Sequence, residues 1–300
     1  MEEQYRKVTQ VTTWNGNGQT VMQHSNPVRV IAVTGGKGGI GKTSISINLA
    51  IALAESGNSV LLMDADLGLA NVDIMLNLKP TKDLHGVING EYPLQEVLIK
   101  GPKGIDIIPA SSGIGHMANL SIAEQAELIH AFSDLETDID TLVVDTAAGI
   151  SNSVLSFTKA SSEIIVVICD EPASIADAYA LMKVLSQEHD VKSFKVIANR
   201  VKDAPTAQKL YSRLANVADL YLQISLGYLG HIPEDEQILK AVRRQAAVME
   251  QHPDSNAAHA FRKLATRVNR IPLSDTNSGY LQFFVERFAQ NSQGDIGDLH

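Results

Sequence analysis

Residues 34–43, T-G-G-K-G-G-I-G-K-T, decide the fold of this chain. They follow a β-branched run at 28–33 and precede a helical pattern at 44–54, so they form the turn between a strand and a helix. From Gly36 to Thr43 they match the phosphate-binding pattern GxxxxGK(S/T), in which backbone N–H groups and a lysine surround phosphate oxygens and the last hydroxyl suits Mg²⁺. The stretch predicts a nucleoside triphosphate site made of Gly36, Gly38, Gly39, Ile40, Gly41, Lys42, Thr43 and Ser44.

The same glycines also satisfy the dinucleotide pattern GxGxxG, with Asp64 about where a ribose-binding acid would lie. That alternative predicts an NAD-dependent oxidoreductase. Lys42 and Thr43 have no role in a dinucleotide turn, however, and an acid suited to Mg²⁺ follows a later strand at Asp145. The triphosphate interpretation is therefore favoured.

Strand and helix patterns alternate from Val28 onward, which predicts an α/β fold with a mostly parallel, doubly wound sheet and helices on both faces. Most of the candidate strands are continuous apolar runs, as expected for strands buried on both sides. Ligands of such sheets bind at the carboxyl ends of the strands. The candidate strands are residues 28–34, 59–64, 105–109, 140–145, 163–169, 193–198 and 226–232.

Two of these strands end in an acid, and Asp170 and Glu171 follow a third, residues 163–169. Asp64 and Asp66 end the second candidate, and Asp145 ends the fourth, beside the expected phosphate loop. Carboxylates at strand ends pack poorly but can serve a metal ion and a water molecule, so we expect Thr43 and Asp145 to hold Mg²⁺. The alternative is that Asp66 or Asn71 caps a helix.

Of the two last candidate strand ends, one carries a group suited to a nucleotide base. Asn199, followed by Arg200, can both donate to and accept from a purine edge. The other strand end is followed by Pro233, Glu234 and Asp235. Helix capping by Asn199 is the alternative interpretation.

Composition limits the partners and the compartment. Lys and Arg number 25 against 34 Asp and Glu, a net charge of −9, so no broad attraction to nucleic acid or anionic lipid is expected and any such binding must be local. The single cysteine, Cys169, lies in an apolar run, and no signal peptide or membrane-spanning run is evident. We expect a cytoplasmic protein without direct nucleic-acid contact.

The two ends of the chain differ from its middle. Residues 1–27 are polar and predict a flexible extension, with a candidate partner-docking helix at Met1–Val8. Residues 273–300 contain a candidate amphipathic helix at 280–290, which has only Arg287 against Glu286 on its polar side. Its apolar face could contact the inner membrane, the core or a protein partner; the residues of that face are Leu281, Phe284, Val285 and Phe288.

The run from Lys37 to Thr43 resembles the deviant Walker A motif of the MinD/ParA family of P-loop NTPases, which are of the SIMIBI type. The resemblance implies that ATP or ADP binds with Mg²⁺ and that Lys37 acts in trans on a partner protomer's nucleotide; a solvated surface lysine is the alternative. It further implies that Asp66 positions the attacking water, that Asp64 supports the metal and that Glu171 borders a dimer interface. The implied adenine pocket contains Asn199, Arg200, Pro233, Glu234 and Asp235.

Runs at 64–73, 170–183 and 272–288 look most like the FlhG family, also called FleN or YlxH, a resemblance that covers residues 28–290. It implies a slow, switch-type ATPase domain at 28–272 that forms a homodimer with ATP and restricts flagellar number and placement. It also implies two partners, an FlhF-type GTPase and a flagellar transcriptional activator, and a peripheral, polar position at the inner membrane. The GTPase-stimulating motif of the family is Asp-Gln-Ala, from which Glu3-Gln4-Tyr5 departs at two positions.

A division-site or DNA-partition ATPase would share this chemistry but not the partner. Partition proteins need a basic DNA-binding surface, which the overall acidity disfavours. A basic helical run with Arg262, Lys263, Arg267 and Arg270 leaves room for a local one.

Overall fold

A computed structural model describes residues 10–14, 20–24, 28–67, 71–110, 120–132, 134–135 and 137–273. The predicted helix at Met1–Val8 and the candidate amphipathic helix at 280–290 lie outside these residues. Within the part described, no helix is long and apolar enough to cross a membrane.

The described strands form one large sheet and one separate pair. They are β1 Gln10–Trp14, β2 Thr20–His24, β3 Arg29–Thr34, β4 Val60–Ala65, β5 Ile99–Lys100, β6 Asp106–Ile108, β7 Thr141–Thr146, β8 Glu163–Cys169, β9 Ser193–Val201 and β10 Ser225–Pro233. The large sheet has the order β10-β9-β8-β3-β7-β4-β6-β5, whereas β1 and β2 pair antiparallel with each other.

Helices connect the strands. They are α1 Lys42–Glu55, α2 Val72–Met75, α3 Leu84–Ile88, α4 Ile122–Ala131, α5 Asn152–Lys159, α6 Pro172–Glu188, α7 Ala204–Tyr221, α8 Glu236–Arg243, α9 Val248–Gln251 and α10 Asn256–Asn269, with 3-10 turns at Leu94–Val97 and Pro102–Gly104.

The sequence predicted all seven parallel strands, and each begins within one residue of its predicted start. The strands could be predicted from continuous apolar runs because strands such as β3, β4 and β7 are buried along their whole length. The two-residue antiparallel edge strand β5 and the pair β1–β2 were not predicted. The predicted doubly wound α/β fold is confirmed.

Alternate residues of the central strands enter cores on opposite faces of the sheet. Ile31 and Val33 of β3 pack with α1, α9 and α10, whereas Val30 packs with α3 and α4. On that second face, Val166 and Ile168 of β8 pack with α6 and α7. Because β3 lies between β7 and β8, the loop that follows it opens at the carboxyl end of the sheet, between the two halves of the fold.

Candidate nucleotide-binding site

The loop between β3 and α1 leaves the first turn of α1 open to an anion. Gly41 stands at the N-cap with φ 91 and ψ 25, a left-handed conformation that suits glycine. No side chain caps this 14-residue helix, so its first N–H groups have no side-chain acceptor. These donors, together with the helix dipole, fit a phosphate group.

Lys42 points its charge into this loop from a buried position. Its Nζ lies 3.4 Å from the carbonyl oxygen of Lys37. Burial lowers the pKa of Lys42, while the negative charges of Asp145 and Asp66 act in the opposite direction. A partly desolvated ammonium attracts an anion more strongly than one in water, which suits contact with the outer phosphates of a nucleotide.

Hydroxyl groups surround Asp145 at the end of β7. Ser46 Oγ donates to Asp145 Oδ1 at 2.8 Å, and Thr43 also bonds to this carboxylate. Burial raises the pKa of Asp145 to about 6, although both hydroxyl bonds oppose the shift. The sequence analysis missed Ser46, which its position three residues after Thr43, on the same face of α1, could have revealed.

Asp64 is fully buried and holds the backbone of the segment that follows β4. Its carboxylate accepts from the N–H groups of Asp66, Asn71 and Val72 at 3.1, 2.8 and 3.0 Å. Burial, helped by the charge of Asp145 in the adjacent register position, raises the pKa of Asp64 to about 8. Asp64 therefore orders this segment, while its support of a metal stays a prediction.

The helix-cap alternative for Asp66 and Asn71 is wrong. Asn71 stands at the N-cap position of α2, but its side chain makes no cap hydrogen bond. Instead, Asn71 Nδ2 donates to Asp66 Oδ2 at 3.4 Å. The side chain of Asn71, at the start of α2, therefore contacts the Asp66 carboxylate instead of capping the helix.

The donor set near Asp145 suits Mg²⁺ more than a metal held by protein alone. Within the described ranges, no three His, Cys, Asp or Glu side chains are grouped to hold a metal ion. Mg²⁺ typically takes one or two protein oxygens and completes its shell with phosphates and water. Thr43 and Asp145 would supply those protein oxygens, and the ion would neutralise charge on the phosphates.

Lys37 is ion-paired within its own chain. Its Nζ donates to Glu171 Oε2, and the other carboxylate oxygen lies 3.7 Å from Arg200 Nη2. This hydrogen bond raises the pKa of Lys37 and lowers that of Glu171. This surface ion pair tests neither interpretation, so the action of Lys37 in trans, the alternative of a solvated surface lysine and the interface position of Glu171 stay predictions.

A cavity of about 340 Å³ lies at the carboxyl ends of β8, β9 and β10. Two of the predicted base-binding residues, Arg200 and Glu234, line it, as do Lys202 and Thr206, which the sequence analysis did not single out. Arg200 has φ 53, an uncommon value for a residue with a side chain. Such strained residues concentrate at binding sites.

Asn199 holds the phosphate loop. Its Nδ2 donates to the carbonyl of Ile40 at 2.7 Å, and its Oδ1 accepts from the N–H of Arg200 at 3.0 Å. The helix-capping alternative is wrong, because the cap of α7 is Asp203. Contact of Asn199 with a base remains a prediction, and the amide already links the end of β9 to the phosphate loop.

The other two predicted base-binding residues lie at the end of β10 and just beyond it. Pro233 is its last residue. Asp235 caps α8 through Gln237 N at 2.9 Å and also accepts from Ala257 N, at the start of α10, at 3.0 Å. The structure thus gives Asp235 a part in joining two helices, which the sequence analysis did not predict.

Two further contacts join the phosphate loop to its neighbours. The N–H of Gly149, in the loop after β7, donates to the carbonyl of Gly35 at 3.3 Å. An added Cβ on Gly36 would lie 2.3 Å from the carbonyl oxygen of Asp177 on α6. The loop is therefore packed against structure on both sides.

Comparisons with known proteins place these residues in a family context. Residues 26–269, which include all the described site residues, match a family model named ParA and described as the NUBPL iron-transfer P-loop NTPase. The chain is 50% identical to the antiactivator FleN of Pseudomonas aeruginosa, over 90% of this chain and 96% of that protein. It is 34% identical to the flagellum site-determining protein YlxH of Helicobacter pylori, over 78% of this chain and 79% of that protein. The solved structure of the septum site-determining protein MinD of Pyrococcus horikoshii with Mg-ADP matches with a TM-score of 0.68 and 26% identity, over 82% of this chain and 97% of that one.

Gly41→Ala should destabilise the chain by more than the strain of a positive φ. The added Cβ would lie 2.4 Å from Asn199 Nδ2. Gly57 is a matched control, because its φ of +95 is close to the +91 of Gly41 and nothing lies within 4 Å of an added Cβ. We expect Gly57→Ala to lower the free energy of unfolding by about 1 kcal/mol and Gly41→Ala to lower it by about 1–3 kcal/mol more, as measured by urea unfolding.

The double variant Gly41→Ala/Asn199→Ala tests how much of the destabilisation comes from the contact between the new Cβ and the Asn199 side chain. Asn199→Ala removes the amide that the new Cβ would meet. The double variant should therefore lose less free energy of unfolding than the sum of the losses in the two single variants. Equal costs for Gly41→Ala and Gly57→Ala would contradict this account of the loop.

Proposed function

The chain belongs to the ParA/MinD family of P-loop ATPases and, within it, to the FleN/YlxH group also called FlhG, and from this premise we propose that it is an ATP-dependent, dimerising ATPase that restricts flagellar number and placement. The flagellar part rests on the extent of the match to FleN, which is 50% identity over 96% of that protein. The ATPase part rests on one observation, the meeting of Lys42, Asp145 and Asp66 at the strand ends.

Each of these three residues has a part in the proposed hydrolysis. Lys42 and the first turn of α1 bind the phosphates. Asp145 and Thr43 would hold the Mg²⁺ ion that accompanies the nucleotide. The charge of Asp66 raises the pKa values of both Lys42 and Asp145, which supports a place for Asp66 near the triphosphate. From there its carboxylate orients the attacking water and accepts a proton from it. Asp64 positions Asp66 through the backbone bond to its N–H.

In this proposal, Lys37 alternates between two partners, Glu171 and the phosphates of a nucleotide. In a single protomer, Lys37 is held by Glu171, beside Arg200. When ATP joins two protomers, Lys37 exchanges Glu171 for the phosphates of the partner's nucleotide. Hydrolysis followed by release of inorganic phosphate removes the outer part of that anionic target, Lys37 returns to Glu171, and the protomers separate. A slow, switch-type turnover follows because each cycle includes dimer formation and release.

The proposed partners follow the family. An FlhF-type GTPase and a flagellar transcriptional activator would read the nucleotide state. The name antiactivator supports the second partner, and the name flagellum site-determining protein supports a role in flagellar placement. The residues Glu3-Gln4-Tyr5 at the expected GTPase contact lie outside the described residues.

Peripheral contact with the inner membrane at a cell pole also belongs to the proposal. It depends on the apolar face of residues 280–290, which lie outside the described residues. The residues of this face are Leu281, Phe284, Val285 and Phe288.

A division-site or partition role is the alternative, favoured by the likeness to MinD. Within the basic run of α10, however, two arginines serve the fold. Arg262 Nε pairs with Glu55 at 2.9 Å, and Arg267 Nη1 donates to the carbonyl of Leu229 at 2.6 Å. Two of the four basic side chains are therefore engaged within the fold, which leaves fewer for a DNA-binding surface of the kind that partition proteins use.

Asp66→Ala should retain ATP binding and ATP-dependent dimerisation. Its rate of hydrolysis should fall by about a hundredfold or more, because the carboxylate that acts on the attacking water is gone. Lys42→Ala should lose nucleotide binding itself, because the buried charge that faces the phosphates is gone. Phosphate release and fluorescent-nucleotide binding measure the two steps separately. Unchanged turnover in Asp66→Ala would refute the assignment.

Glu171→Gln should promote ATP-dependent dimerisation, because Lys37 no longer has to leave a carboxylate. Sedimentation velocity in an Asp66→Ala background, where ATP persists, would measure the dimer. Asp170→Asn is the matched control, since it removes a neighbouring charge without touching the Lys37 pair. Weaker dimerisation of Glu171→Gln would show that Glu171 supports the interface instead of competing with it.

A count of flagella per cell tests the biological role. We expect excess flagella both in a strain that lacks this protein and in one that carries Lys42→Ala, because regulation requires the nucleotide-bound state. Electron microscopy supplies the count, and septum positions in the same cells supply the comparison. Normal flagellar numbers with misplaced septa would favour the division-site alternative.

A further inference from the structure

Ser46 touches an acid of the nucleotide site, yet the proposed function gives it no part. It lies on α1, three residues after Thr43 and one helical turn after Lys42. Its side chain is fully buried, and its neighbours along the helix are two isoleucines, Ile45 and Ile47. Serine is less favourable than alanine inside a helix, and a buried hydroxyl needs a hydrogen-bond partner. The partner of Ser46 therefore indicates what this residue does.

Two acceptors lie within reach of the single hydroxyl hydrogen of Ser46. Asp145 Oδ1 is 2.8 Å from Ser46 Oγ, and the carbonyl oxygen of Lys42 is 3.1 Å away. Within the helix, that carbonyl already accepts the backbone N–H of Ser46. Hydrogen bonds to ionised groups are also shorter and about twice as strong as those to neutral groups. The hydroxyl of Ser46 is therefore a donor to Asp145.

The sheet fixes the main chain of Asp145 but not the plane of its carboxylate. β7 lies between β3 and β4, and Asp145 stands opposite Val33 in one register and opposite Asp64 in the other. Rotation about the last bond of an aspartate side chain has only a broad preference, so the carboxylate plane needs a further constraint. A hydrogen bond from a buried donor on α1 supplies it.

Two hydroxyl groups of α1 bond to Asp145, and they differ in exposure. Thr43 is partly exposed and is one of the two expected protein ligands of Mg²⁺. Ser46 has 0% exposure and therefore offers no surface to an ion. Any effect of Ser46 on the metal must pass through the Asp145 carboxylate.

We propose that Ser46 is a positioning residue for Mg²⁺, whose hydroxyl holds the Asp145 carboxylate in the orientation that receives the ion. The inference rests on the proposed Mg²⁺-dependent nucleotide binding and adds a residue to it. Groups that orient a metal ligand typically contribute about 10- to 100-fold to metal affinity. Lys42 and the first turn of α1 bind the phosphates without this hydrogen bond, so the affinity for nucleotide in the absence of Mg²⁺ does not depend on it.

Binding of methylanthraniloyl-labelled ADP to the full chain, measured across a range of Mg²⁺ concentrations, tests the proposal. Ser46→Ala should raise the Mg²⁺ concentration that half-maximally tightens nucleotide binding by about tenfold or more. The affinity measured in EDTA should stay at the wild-type value. Ser46→Thr keeps a hydroxyl at this position and should need less Mg²⁺ than Ser46→Ala.

Ser186→Ala is the matched control for the loss of a buried hydroxyl. Ser186 is 5% exposed, lies near the end of α6 and donates to the carbonyl of Lys183 at 3.1 Å. Its hydrogen bond thus goes to a helix carbonyl, as the weaker contact of Ser46 does, and not to a carboxylate. Both variants should lose some free energy of unfolding in urea, whereas only Ser46→Ala should need more Mg²⁺.

The possible results distinguish the role of Ser46 from the proposed metal site. If Mg²⁺ does not tighten nucleotide binding even in the wild type, the proposed metal role of Asp145 fails. If the wild type and Ser46→Ala respond at the same Mg²⁺ concentration, the metal site stands and the positioning role of Ser46 is overturned. Equal losses of affinity with Mg²⁺ and with EDTA would also overturn it, because Ser46 would then support the phosphate loop as a whole.

Discussion

Three buried ionisable groups, Lys42, Asp64 and Asp145, meet where β3, β4 and β7 end, and the rest of the site depends on them. The strand register places Asp64 opposite Asp145, and α1 brings Lys42 to the same point. Removing such groups from water costs several kcal/mol each. Three backbone N–H groups offset this cost at Asp64, and two hydroxyl groups do so at Asp145. The arrangement suits a ligand that brings both a metal cation and a phosphate anion.

The phosphate loop is shaped by the ends of three other elements. Asn199 on β9 holds the carbonyl of Ile40, and Gly149, after β7, holds that of Gly35. Gly36 packs against the backbone of α6 so closely that no side chain fits. Glycine at these positions therefore serves packing as well as phosphate contact. The buried amide of Asn199 joins the end of β9 directly to the phosphate loop.

The sequence predicted the strands well because burial on both faces leaves a clear mark, a continuous apolar run ending in a polar residue. It predicted which residues gather at the strand ends, since parallel strands bring their carboxyl ends together. It did not predict the partners of those residues. Asn199 and Ile40 are 159 positions apart, and the pairing of Lys37 with Glu171 spans 134. Such contacts depend on side-chain directions that only the assembled sheet defines. The edge strand β5 was missed because two residues carry no periodicity.

Arg29 has a consequence for how the molecule can be held. It is the first residue of β3, and its guanidinium also contacts the carbonyl of Ile271, so the two points where the chain enters and leaves the described ATPase fold lie side by side. One partner could bind the residues before Val28 and another the residues after Leu273. The two partners would then be held close together, so each would have a high local concentration near the other. Attachment at both ends would act as one bivalent tether, whose strength exceeds that of either end alone.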